Sequence, residues 1–257
     1  MLIQQHVYKH GFPAPAVHFG AMPTKEFAHA WILMDFDTGG TLVSRRTRAA
    51  FARWIALRSW RVPRYLARTC AAIHAVDASS MAYALAMPDS VAPVLNWLYS
   101  RAAKLSDRDL VERAQRLLAK RPPFQRSVLC HGDLHPLNIL RSPGRDTVID
   151  WTHAQYDDPL YDVAFTSMGL RLLPFPEPKA LRPLIEVAGR LLSRRFIVSY
   201  EKASGFRVDR TRLAWFEQVI ALRIYVEAAE ARRRGTGPRA TRDPALMIEP
   251  FFRAAGY

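Results

Sequence analysis

"LCHGDLHPLNIL", residues 129–140, sets two histidines, an aspartate, an asparagine and a proline between two apolar dipeptides. A connecting loop needs turn formers, and Gly132 and Pro136 supply them. His131, Asp133, His135 and Asn138 exceed that need. Upstream, "SVLC" (127–130) reads as a short strand. Downstream, "NIL" (138–140) and "TVID" (147–150) flank "RSPGRD", whose Pro-Gly pair marks a turn. The expected hairpin brings Asn138 beside Asp150, with Asp133 on the adjoining loop. Three oxygen-bearing groups on one edge suit a hard divalent cation such as Mg²⁺, with one carboxylate free to meet a substrate hydroxyl.

Around this centre the chain reads as a small β piece followed by a mainly helical body. Residues 1–9 resemble a helix end, stopped near Gly11 and the "PAP" of 13–15. "VHFGA" (17–21) and "HAWILMDF" (29–36) read as two strands around a turn, and "DTGG" (37–40) as a linker. Helices are expected over 45–60 and 63–76. Ser106 with Asp109 three residues on resembles a capping box that opens another. Further helices are expected over 160–172, 180–203 and 209–232, where apolar residues recur at helical spacing.

Composition sets outer limits. With 49% hydrophobic and 23% charged residues, the 257-residue chain can bury a substantial core. No apolar run approaches the roughly 18 residues of a membrane span, and no basic-then-apolar leader opens the chain, so a cytoplasmic protein without a membrane partner is expected. Cys70 and Cys130 stand far apart amid apolar neighbours, as core thiols do. The net charge of +14 comes mostly from scattered arginines without a nucleic-acid-binding signature, so no specific nucleic acid is expected.

The spacing His131-x-Asp133-x-x-x-x-Asn138, with Asp150 twelve residues beyond, follows the phosphoryl-transfer template. "HGDLHPLNIL…VIDW…DPLYDVA" resembles the aminoglycoside phosphotransferase and choline kinase-like family, relatives of the protein kinases. "GFPAPAV" (11–17), "WILMDFDTGGTL" (31–42) and "AAIHAVD" (71–77) are similar to the segment before the hinge, the hinge, and the first long helix of the C-lobe. The resemblance implies an α+β, protein-kinase-like fold, with residues 1–37 a remnant of the nucleotide-binding lobe and hinge, and 38–257 the helical C-terminal lobe. It implies a phosphotransferase that uses Mg²⁺ and ATP or GTP to act on a hydroxyl group of a small molecule, as a monomer or weak dimer. Asp133 would be the catalytic base, and Asn138 and Asp150 the metal ligands. Leu33, Met34, Asp35 and Phe36 would border the nucleotide, His131 and Asp162 would support the catalytic loop, and His135 would lie near the phosphates.

The resemblance thins toward the N-terminus. Before Met34 there is no glycine-rich loop, Lys9 falls in a helix end, Lys25 falls in a turn, and no Glu precedes Glu26. A kinase needs such a loop and a strand Lys paired with a helix Glu. The expectation is therefore a truncated N-lobe sheet, with either the true start upstream of Met1 or a catalytically inactive kinase-like scaffold. A metal-dependent hydrolase using Cys130, His131, Asp133 and His135 is the remaining alternative, although Gly132 and Pro136 disfavour a helix that would align the two histidines. Residues 171–257 carry 17 Lys and Arg against 9 Asp and Glu. That surplus favours a neutral or anionic acceptor over a polycation.

Overall fold

The chain folds as an α+β protein in which helices form the body, accompanied by small sheets. The computed structural model describes residues 2–25, 29–42, 60–80, 91–123, 125–172 and 182–235. In chain order the elements are α1 (Leu2–Lys9), β1 (Val17–Ala21), β2 (Trp31–Met34), β3 (Gly40–Thr41), α2 (Val62–His74), α3 (Val91–Leu105), α4 (Arg108–Ala119), β4 (Val128–Cys130), β5 (Ile139–Ser142), β6 (Arg145–Val148), β7 (Gln155–Asp157), α5 (Leu160–Leu172), α6 (Arg182–Ser204) and α7 (Arg210–Arg233). The helix expected over 45–60 lies outside the described residues.

Pro63 in its first turn suits the start of α2, where the missing N–H has no helical partner to lose. Its buried face carries Leu66, Cys70 and Ile73 and packs on α6. Phe196 and Tyr200 of α6 are fully buried, and α5 and α7 close the other side of the same core. Both cysteines are free and buried, as core thiols should be. Among the described residues no helix is long and apolar enough to cross a membrane.

The strands lie where their neighbours can hold them. β1 and β2 pair antiparallel as an isolated two-stranded sheet, with Phe19, Trp31, Ile32 and Leu33 exposed. The hairpin β5–β6 pairs Ile139 with Val148 and Ser142 with Arg145, and Gly144 takes φ 77 at the turn. The expected linker 37–40 runs into β3, which adds a third strand to that hairpin through Gly40–Arg141 and Thr41–Leu140. Asp37 makes the junction. Its carboxylate accepts from Thr147 Oγ1 at 2.6 Å, Gly39 N at 2.8 Å and Ser142 Oγ at 3.0 Å, and these bonds hold it below the usual carboxylate range.

One local reading is corrected. Asp107, not Ser106, caps α4: its Oδ1 accepts from Leu110 N at 3.1 Å. Ser106 instead takes φ 56, in the turn that ends α3. β7, for which the sequence raised no expectation, pairs with β4 and has no hydrophobic alternation that would mark it as a strand.

Candidate active site

β4 and the hairpin deliver the polar loop of residues 131–138 to one place. Gly132 turns the chain with φ 75, and a Cβ there would stand 2.2 Å from the carbonyl oxygen of His153. Glycine therefore meets two demands at once, a left-handed backbone and a close approach. Gly132→Ala is expected to destabilise the fold by more than the ~1–2 kcal/mol of the left-handed conformation alone, because the clash adds to it. Urea denaturation of the variant measures this directly.

The loop is anchored from behind by a fully buried carboxylate. Asp162 on α5 accepts from His131 N at 2.8 Å, Gly132 N at 2.7 Å and His74 Nε2 at 3.2 Å. A carboxylate only accepts, so His74 carries its proton on Nε2, and Nδ1 is left to take the hydrogen of Tyr200 Oη at 2.8 Å. Burial pushes the Tyr200 phenol up, which keeps that hydrogen in place. Burial also pulls the Asp162 pKa upward, but its bonds to His74 and the loop outweigh this and hold it below the usual range.

On the open side, Asn138 donates from Nδ2 to Asp133 O at 3.0 Å and to Asp133 Oδ2 at 3.2 Å. The amide oxygen of Asn138 accepts no hydrogen bond among the described residues. Asp150, in the left-handed region at φ 61, lies just beyond the last hairpin rung, is exposed, and receives a hydrogen bond from Thr152 Oγ1. Ile149 N donates to Asn138 O at 2.9 Å, which ties the two ends together. Asp133, Asn138 and Asp150 thus present hard oxygen donors at one end of the hairpin, a set that fits Mg²⁺.

The two loop histidines serve the backbone. His131 Nε2 donates to Ile149 O at 3.1 Å while Nδ1 accepts from Asp133 N at 3.3 Å, a pairing that needs the neutral ring. Burial lowers the His131 pKa accordingly. His135 Nδ1 accepts from Leu137 N at 3.3 Å, with Nε2 3.7 Å from Asp133 Oδ2. The unfolded chain protonates His131 near its ordinary 6.5, which the folded chain resists, so stability is full above that pH and falls below it. Further loss comes below about 3.8, the ordinary value, where Asp162 and Asp37 are protonated more readily unfolded than folded. Thermal melts from pH 8 to 3 should show both limbs, and His131→Gln should flatten the first.

The hydrolase set does not form. Cys130 Sγ points to Asp158 O at 3.5 Å from a buried position, and burial pushes its thiol up, away from a metal-binding thiolate. Among the described residues the one compact group of metal-ligating atoms is Cys70, His74 and Asp162. His74 and Asp162 there are already engaged by the loop and Tyr200, so the group reads as a hydrogen-bonded brace.

Three contributors escaped sequence reasoning. Nothing in "AAIHAVD" distinguishes His74, and Tyr200, which bonds it, lies 126 residues away. Arg223 of α7 is buried and donates from Nη1 to Gly132 O at 2.6 Å and Tyr161 Oη at 3.1 Å, and from Nε to Glu227 at 3.0 Å. An Arg in the middle of the apolar run 219–226, with a Glu four residues on, is the signal that could have found it.

The family described as Phosphotransferase enzyme family matches residues 3–216 of the chain. No curated protein sequence matches it. Among solved structures, a type VIII aminoglycoside-3'-phosphotransferase is similar at 19% identity and TM-score 0.60, covering 86% of this chain and 80% of that one. A thermostable aminoglycoside phosphotransferase mutant, in ternary complex with AMP-PNP and hygromycin B, is similar at 18% identity and TM-score 0.56, covering 99% and 82%. An ethanolamine kinase of Plasmodium vivax is similar at 13% identity and TM-score 0.60, covering 99% and 71%. At these identities the likeness shows the fold, which is protein-kinase-like.

Proposed function

The chain belongs to the phosphotransferase enzyme family, and from that membership we propose that it moves the γ-phosphoryl group of ATP or GTP to a hydroxyl group of a small molecule. The observation that carries this reading is the Asp133 carboxylate, partly exposed and tied through Asn138 to the hairpin end that bears Asp150. Asp133 would orient the acceptor hydroxyl and receive its proton. The amide oxygen of Asn138 and the Asp150 carboxylate would hold Mg²⁺. When bound, that ion would supply positive charge against the negative charge developing in the transfer. His131 and Asp162 would keep the loop backbone in place, and His135 would stand beside Asp133, close to the phosphates.

The base would lie along Leu33, Met34 and Phe36, whose apolar side chains are exposed beside the cleft strand. Asp35 contributes differently, because its N–H is engaged by Ala16 O at 2.9 Å and its carboxylate by His18 Nε2 at 2.7 Å. The surplus of Lys and Arg in residues 171–257 supports a neutral or anionic acceptor.

Titration of Mg·ATP into the protein, with and without EDTA, tests the reading. Binding should require the metal, and Asp150→Asn should weaken it about tenfold or more, the cost of a lost charge-assisted contact. Binding that ignores both metal and substitution would overturn the proposal. The exposed β1–β2 sheet favours one rival, a scaffold that binds partners and not nucleotide. Absence of any Mg·ATP binding would select it.

A further inference from the structure

Between Asp37 and Asp77 the sequence holds eight arginines and no carboxylate. Three of these, Arg61, Arg64 and Arg68, follow one another at spacings of three and four, which sets them on one face of α2. Together with Arg141 of β5 and Tyr65 they line a cavity of about 500 Å³. One wall is pre-organised: Tyr65 Oη donates to Asp146 Oδ2 at 2.5 Å, and Arg141 grips the same carboxylate at 2.9 and 3.1 Å. The Arg141 guanidinium also lies 5.2 Å from the Tyr65 ring centre. The other three cations have no carboxylate within 4 Å among the described residues. Arg195 of α6, stacked on Trp60 at 4.1 Å, adds its charge close enough to Arg64 for the two to repel, and its buried Nε has no hydrogen-bond partner among the described residues.

We propose that this cavity binds a compact polyanion carrying two or more phosphate groups. Like charges gathered around one concavity repel unless an anion sits among them, and the planar guanidinium fork matches phosphate oxygens two at a time. A concave pocket between one helix and one hairpin suits a small, multiply charged molecule. A nucleic-acid backbone would instead need an extended basic stripe. The cavity is separate from the proposed metal site. Arg141, which lines the cavity, pairs with Asp146 next to the hairpin turn, whereas Asp150 lies beyond the last rung at the opposite end of the hairpin.

Calorimetric titration of inorganic pyrophosphate and tripolyphosphate into the full chain tests this, at physiological ionic strength and with EDTA present. Binding should persist without metal and in Asp150→Asn, and weaken about a hundredfold in Arg64→Gln/Arg68→Gln, roughly tenfold per lost charged contact. The double variant should fold normally, with a melting temperature equal to or above that of the parent, and pyrophosphate should no longer raise it. Three results would overturn the proposal: no binding of either anion, equal binding by the double variant, or binding abolished by EDTA or by Asp150→Asn. Displacement by single-stranded RNA with affinity that grows with its length would overturn it as well, and would assign the patch to nucleic acid.

Discussion

Asp133→Asn is expected to lower kcat for phosphoryl transfer by about 10²–10⁴, the usual contribution of a positioned general base. The side chain is replaced by one of the same shape, so the loss isolates the charge and its ability to take a proton. The Asn138 amide can still donate to the new carbonyl oxygen, as it donates to Asp133 Oδ2 at 3.2 Å. Stability should therefore change by less than about 1 kcal/mol, the net worth of one ordinary hydrogen bond. Nucleotide affinity should hold, because the oxygens of Asn138 and Asp150 that are proposed to hold the metal are untouched. kcat and kcat/KM should fall together, as they do when an interaction made in the transition state is removed. A variant with the parent's kcat would remove Asp133 from the mechanism.

The second large effect is on folding. Asp162→Ala leaves three buried donors without an acceptor: His131 N, Gly132 N and His74 Nε2. Each unsatisfied buried group costs about 1–3 kcal/mol, and relaxation of the loop recovers part of the sum. The expected loss is about 3–5 kcal/mol, the sum of those costs after the loop has relaxed. Against a typical stability of about 5–15 kcal/mol, many molecules would be near their unfolding threshold at 37 °C. Urea midpoints measure this. A variant within about 1 kcal/mol of the parent would mean that the loop holds its shape without Asp162.

The loop and hairpin were legible because their signals are local. Gly132, Pro136 and the Pro143-Gly144 turn fix backbone geometry within a few residues, and the apolar "VLC", "NIL" and "TVI" runs supply the strands between them. The long helix 209–232 was equally plain from its periodicity, matching α7 to within one residue, and the expected helix 160–172 coincides with α5. β3 was not, since two residues such as Gly40-Thr41 carry no period and pair only because Asp37 pins the linker to the hairpin. The His74–Tyr200 bond and the Arg223 contact with Gly132 join residues 126 and 91 apart. Such pairings depend on how α2, α6 and α7 pack, which single-residue chemistry does not announce.

Loops ordinarily exchange their amide hydrogens with solvent in brief local openings, while core strands wait for the whole molecule to unfold. The loop of residues 131–133 should behave as core. The His131 and Gly132 amides end on a carboxylate with no solvent exposure, and that carboxylate sits on a helix thirty residues later in the chain. Freeing either hydrogen means parting α5 from β4, so both should exchange at the slow rate of the most protected helices. Asp133 would then stand on a segment that holds one conformation between turnovers, and any opening needed to admit substrate or release product would have to come from elsewhere in the molecule.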